Sequence, residues 1–166
     1  MTRKQKQCIV MADKISLTQG FSYDPMTDTI VGFVDHGEGG RENAVAQNAQ
    51  VFEARGLYDD WKLSLTFYLT GKDVIGKKLS DITRSMLEAV INTGFDVRAL
   101  VVDGALKNIN MFRRLGCRPG EPVFTLLEKK IVAIIDPPHL IKAIRNNLLK
   151  YDVKSGEKTA TSHGAT

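Results

Sequence analysis

The hydrophobic period of this chain changes near Gly76, and that change narrows the folds open to it. Before Gly76 the signals are β-type. Residues 7–17 (QCIVMADKISL), 48–55 (NAQVFEAR) and 63–69 (LSLTFYL) read as strands, the last two as a pair around Gly56 to Lys62. After it, Leu79, Ile82, Met86, Leu87, Val90 and Ile91 recur with a period near 3.6, which predicts a helix that Gly94 stops. Residues 97–102 (VRALVV) have the composition of a strand buried on both faces. A second helix follows over 106–115, with Leu106, Ile109, Met111, Phe112 and Leu115 apolar and Gly116 closing it. Residues 131–135 (IVAII) read as another buried strand, which runs through Asp136-Pro137-Pro138 into a helix over about 138–150. Three antiparallel strands followed by helix, strand, helix, strand and helix predict an α/β fold, with a mixed five-stranded sheet flanked by helices and right-handed crossovers between its parallel strands.

The turn-rich segment Tyr23-Asp24-Pro25-Met26-Thr27-Asp28 leads into an apolar stretch over 29–34, and this predicts a hairpin with the first strand. Pro119 and Pro122 mark a loop. Residues 1–6 are basic and expected to be disordered, 7–152 form one domain, and 153–166 read as a disordered tail or the start of a missing insertion.

Composition excludes several classes. The 166 residues suffice for a core that needs no disulfide or structural metal to fold. Two cysteines, Cys8 and Cys117, make neither a disulfide framework nor a cysteine-rich zinc site, so the chain reads as a protein of a reducing compartment. No apolar run approaches the roughly 20 residues of a membrane-spanning helix. The net charge of +4 favours polyanionic partners. The Gly-rich loop from His36 to Arg41 lacks the Gly-Lys-Ser/Thr of a phosphate-cradling P-loop, and no strand is followed by G-x-G-x-x-G.

In α/β sheets, functional groups gather at the carboxyl ends of strands. Asp103 ends the strand over 97–102, Asp136 ends the one over 131–135, and Asp13 interrupts the first strand. A carboxylate inside an apolar strand costs desolvation unless it is paired, hydrogen-bonded, metal-bound or solvent-facing. Two carboxylates on adjacent strands repel each other, and a divalent cation removes the repulsion. Each also has a purely structural reading: Asp103 and Asp136 as helix caps, the latter ahead of its proline pair, and Asp13 as a surface residue.

The chain resembles the RNase H-like catalytic domain of P-element-type transposases, the group that includes the THAP-domain transposases. The resemblance spans about residues 8–150. It rests on Ala12-Asp13, on Tyr23-Asp24 followed by Val31-Gly32-Phe33-Val34-Asp35, on Ala54-Arg55-Gly56-Leu57 with Trp61-Lys62, and on Leu100-Val101-Val102-Asp103-Gly104 with Asn108. It closes with Asp136-Pro137-Pro138-His139-Leu140-Ile141-Lys142 and Ile144-Arg145-Asn146-Asn147. The shared order of these blocks carries more weight than any one of them.

The resemblance implies an RNase H-like fold and makes Asp13 and Asp103 the first two members of a catalytic acidic triad that binds Mg²⁺ or Mn²⁺. The implied chemistry is two-metal phosphoryl transfer in DNA cleavage and strand transfer, with ions about 3.5–4 Å apart. It further implies transposon-end DNA as partner, a homo-oligomer as an open alternative, and a nuclear location. In the family a long insertion binds GTP; that insertion is expected to be absent here, and the third acid lies beyond it. Lys14 stands where relatives often carry an acid, and the helix over 138–150 contains no Asp or Glu. Asp136 remains as a candidate third ligand or structural residue. The sequence therefore predicts little or no autonomous activity, with a non-catalytic DNA- or protein-binding module as the alternative.

On the last helix, Leu140, Ile141, Ile144 and Leu148 are expected to face the core, leaving Lys142, Arg145, Asn146 and Lys150 to contact phosphates or simply to be solvated. Arg113, Arg114 and Arg118 form a second basic cluster with the same two readings. His139 reads as structural, because the partners of a zinc site are missing, while His36 and His163 carry little signal.

Overall fold

A computed structural model describes residues 1–37, 40–72, 76–156 and 158–160. Chain order is β1 (Gln7–Ser16), β2 (Ser22–Asp24), β3 (Thr29–Val31), β4 (Phe33–Asp35), β5 (Arg41–Val45), β6 (Asn48–Gly56) and β7 (Lys62–Thr70). Then follow α1 (Gly76–Asn92), β8 (Asp96–Val102), α2 (Leu106–Leu115), β9 (Val123–Leu126), β10 (Lys129–Ile135), α3 (Pro137–Leu148), β11 (Val153–Ser155) and β12 (Lys158–Ala160). The expected alternation of strand and helix after Gly76 is present, and the α/β class stands.

The five expected strands form the centre of an eight-stranded sheet of order β5-β4-β7-β6-β1-β8-β10-β9. β1, β8 and β10 are parallel, and β6 runs antiparallel to both β1 and β7. Alternation decides which face is buried. Along β1, Cys8, Val10 and Ala12 are buried, and Val97, Leu100 and Val102 of β8 join them beneath the helices. α1 adds Leu79, Ile82, Met86, Leu87, Val90 and Ile91, and α2 adds Met111, Phe112 and Leu115. Each fully buried Leu, Val or Phe side chain contributes about 1.5–3 kcal/mol relative to exposure. Burial in this layer also pushes the Cys8 thiol up to about 11, with Asp96 adding to the shift, so Cys8 stays protonated as a packing residue.

Several local readings need correction. The stretch over 29–34 does not pair with the first strand. It divides at Gly32 (φ 106°), where a Cβ would collide with the Gly20 carbonyl. The half before the glycine pairs with β2 around the predicted turn, and the half after it enters the sheet between β5 and β7. The loop expected around Pro119 and Pro122 leads into an extra strand, β9, hairpinned onto β10. Leu127 and Glu128 take φ of 46° and 62° in that two-residue turn, a geometry usually signalled by Asn-Gly. The N-terminal residues are anchored: the Trp61 Nε1–H donates to the Gln5 carbonyl at 3.0 Å, and the Asp96 amide donates to that of Lys6 at 2.9 Å. At the other end β11 and β12 form a small ladder where a tail was expected, while 161–166, His163 included, lie outside the described residues.

The largest departure concerns α3, which buries none of its residues. Leu140, Ile141, Ile144 and Leu148, expected to face the core, are all exposed, Ile141 by 66%.

Candidate functional site

The register across the parallel strands brings the three singled-out aspartates to one line. Ala12 pairs with Val102, and Val102 with Ile135, so the next residues are level across three neighbouring strands: Asp13 inside β1, Asp103 just past the end of β8 and Asp136 just past the end of β10. All three line one cavity of about 310 Å³, together with Glu53 and His139. Its apolar walls include Met11 and Val101, the residues whose side chains alternate away from the helix-covered core. A larger apolar cleft of about 980 Å³ lies between β7 and α1, and no aspartate of the row lines it.

The carboxylates are held differently. Asp103 is half-buried, and its Oδ1 accepts from the Ala105 amide at 2.8 Å and from Asn108 Nδ2 at 2.6 Å. Ala105 is the N-cap residue of α2, so Asp103 does tie down the helix start, as its structural reading has it. That role uses one oxygen, and no hydrogen bond from the described residues reaches Oδ2. Asp13 is exposed; its Oδ1 accepts from the Lys14 amide at 2.7 Å, while Gln50 Nε2 donates to its carbonyl at 3.0 Å. Neither aspartate has a cationic side chain within salt-bridge distance among the described residues.

Asp136 occupies the N-cap position of α3 ahead of Pro137 and Pro138, yet its side chain makes no capping hydrogen bond. Its Oδ2 meets His139 Nδ1 at 2.8 Å instead. No group of three or more His, Cys, Asp or Glu side chains among the described residues is arranged to hold a metal ion. Register thus lines up three aspartates without converging all three carboxylates on one point.

Sequence reasoning missed three neighbours of this row. Glu53 lies opposite Met11 on β6 and pairs with Lys62 at 2.9 Å, and its only sequence signal is the alternation of β6. His139 was read as structural and lines the same cavity. Lys107 is the third. Burial, then the nearby Lys14, lower its pKa, whereas the charges of Asp103 and Asp13 pull it back up. A lone Lys in the first turn of α2 gives no signal of this. The basic candidates Lys142, Arg145, Asn146 and Lys150 stand exposed on and just after α3, as do Arg113, Arg114 and Arg118 around the end of α2. His36 lies buried away from the aspartates, with Nε2 3.2 Å from Glu42.

Comparison with known proteins bears on the family and the fold. Residues 1–116 match the family described as the TNP-like, RNase H N-terminal domain, a span that holds both Asp13 and Asp103 and ends before Asp136. Human DNA transposase THAP9 is 22% identical over 149 residues, covering 84% of this chain and 16% of the relative. The transposable element P transposase of Drosophila melanogaster is 26% identical over 145 residues, covering 86% and 17%. The chain therefore spans less than a fifth of the length of these relatives. Among solved structures, the Drosophila P element transposase strand transfer complex matches with a TM-score of 0.77 at 24% identity, over 96% of this chain and 33% of that one. With the family match covering well over half of its residues and the strand order placing its first-strand aspartate beside the one that ends β8, the chain belongs to the TNP-like RNase H N-terminal domain family, as an RNase H-like domain of P-element transposase type.

Proposed function

We propose that this domain supplies two metal-binding carboxylates, Asp13 and Asp103, to a DNA-cleaving and strand-transferring active site. The observation that carries the proposal is their register: adjacent parallel strands deliver both to the same level of one cavity, and neither is neutralised by a salt bridge among the described residues. The donor set fits Mg²⁺ or Mn²⁺. Both ligands are hard oxygens, and Mg²⁺ is usually held by one or two carboxylates plus waters and phosphate rather than by a full protein cage. When bound, such ions supply activation of a water or DNA 3′-hydroxyl and stabilisation of the leaving oxygen.

The chain's own residues do the positioning. Asp103 is fixed by the start of α2, which leaves its Oδ2 without a hydrogen bond among the described residues, while Asp13 reaches the cavity from the neighbouring strand. The exposed Lys142, Arg145, Asn146 and Lys150 extend from the Asp136 edge of the row, where they contact the phosphates of a DNA strand. Likeness to a strand transfer complex supports DNA as the substrate, and a DNA substrate supports a nuclear site of action.

Thermal unfolding in increasing MnCl₂ or MgCl₂ tests the metal reading. The chain is expected to gain stability with metal, and Asp13→Asn to abolish the gain. A wild-type melting temperature indifferent to both ions removes the reading. Because α3 carries no acid and no three-carboxylate group is assembled among the described residues, the purified 166-residue chain is expected to bind metal without cutting DNA. Robust Mg²⁺-dependent cleavage that Asp103→Ala eliminates would contradict that expectation. The lack of a third converging carboxylate among the described residues favours, as a second reading, a non-catalytic binding module. Its signature is DNA binding unchanged by EDTA, Asp13→Asn or Asp103→Asn.

A further inference from the structure

We infer that Asn108 is a positioning residue for Asp103, fixing the orientation of its carboxylate; the inference rests on the two-carboxylate reading above. Asn108 sits in the first turn of α2, only 7% exposed, on the face that also buries Met111 and Phe112. Its Nδ2 lies 2.6 Å from Asp103 Oδ1 and 3.4 Å from the Asp103 carbonyl, so one amide group reaches both the side chain and the backbone of that residue. The Ala105 amide donates to the same Oδ1 at 2.8 Å.

Two donors on one oxygen have a geometric consequence. They occupy the acceptor directions of Oδ1 and oppose rotation of the carboxylate, because any turn about its side-chain bonds breaks both hydrogen bonds. Oδ2, which receives no hydrogen bond among the described residues, is then the oxygen left for a cation. Asp13 differs, for the only hydrogen bond its side chain accepts among the described residues comes from the adjacent Lys14 amide, and it stands exposed. Asp103 is thus the preorganised ligand of the pair and Asn108 the group that preorganises it. The residue type follows from the task. A neutral donor holds the carboxylate without competing for the metal, whereas an Asp at this position would repel Oδ1 and a Leu would offer no donor.

Mn²⁺ titration of the full 166-residue chain, followed by the electron paramagnetic resonance signal of free Mn²⁺, tests the inference on wild type, Asp13→Asn, Asn108→Ala and Asn108→Leu. The Leu variant lacks a donor but keeps a branched side chain and a good helix former, so it carries the test if the Ala variant does not fold. Removing an outer-shell partner of this kind is expected to weaken Mn²⁺ binding about 10- to 100-fold. Melting temperatures in EDTA and in Mn²⁺ distinguish a purely structural role, which lowers both equally and leaves the Mn²⁺ affinity unchanged. If both variants bind Mn²⁺ within about twofold of wild type while Asp13→Asn abolishes binding, the role of Asn108 is overturned and the two-carboxylate site stands. If the wild type shows no Asp13-dependent binding, the site itself is refuted and this inference falls with it.

Discussion

Helices α1 and α3 carry the same kind of amphipathic pattern and meet different fates. α1 buries eight residues, Leu79, Ser80, Ile82, Thr83, Met86, Leu87, Val90 and Ile91, whereas α3 buries none. The first lies over the sheet face built from Val10, Ala12, Leu100 and Val102 and packs against α2. The second starts from the row of aspartates, and its apolar stripe stands in the open. Their endings differ as well. α1 runs into Gly94 (φ 93°) and α2 into Gly116 (φ 119°), while α3 ends at Leu149 in right-handed geometry. A period of 3.6 names the face a helix will bury, but burial also requires a surface in reach to receive it.

Substitutions on the two helices give the sharpest contrast. Leu87 is fully buried in α1, so Leu87→Ala is expected to cost about 2–5 kcal/mol in chemical denaturation, through lost apolar transfer and the cavity left behind. A loss below about 1 kcal/mol would mean that the α1 layer is loosely packed. At the aspartate row the effect depends on conditions: at a Mn²⁺ concentration about 100-fold above the dissociation constant, bound metal adds about 2.7 kcal/mol, all of which Asp13→Asn is expected to remove. Without metal the same substitution is expected to be nearly silent, since Asp13 is exposed and forms no salt bridge among the described residues. On α3, Ile141→Ser is expected to change stability by no more than about 0.5 kcal/mol. A cost near that of Leu87→Ala would show that the α3 stripe is covered in solution.

Much of this organisation was legible in the residues. The helix over 106–115 was readable to the residue, because Gly116 provides the left-handed stop and Met111, Phe112 and Leu115 share one face. The strands expected at 97–102 and 131–135 were plain at their ends, as β-branched runs bounded by Asp103 and Asp136, though β8 begins at Asp96 and β10 at Lys129. What escaped was set by geometry that side-chain type does not announce. The β9–β10 turn uses Leu127 and Glu128 where Asn and Gly are the usual signal. The short strand β4 joins the sheet through Asp35, which pairs with the distant Leu69 of β7, and β5 then pairs back onto β4. Asp13, Asp103 and Asp136 were each recognisable, whereas their common level depends on the register of three strands. Likewise Asn108 belonged to a recognisable block, but its hold on Asp103 Oδ1 required coordinates.

The contrast between a well-packed layer and an open site comes down to the pair Asp13 and Asp103. Crystals of the 166-residue chain grown or soaked in MnCl₂, with data collected near the manganese absorption edge, address it directly. An anomalous peak is expected between the two carboxylates, in contact with Asp103 Oδ2 and absent from crystals of Asp13→Asn. A clear map in which manganese binds elsewhere, or leaves this cavity without a peak, would contradict that.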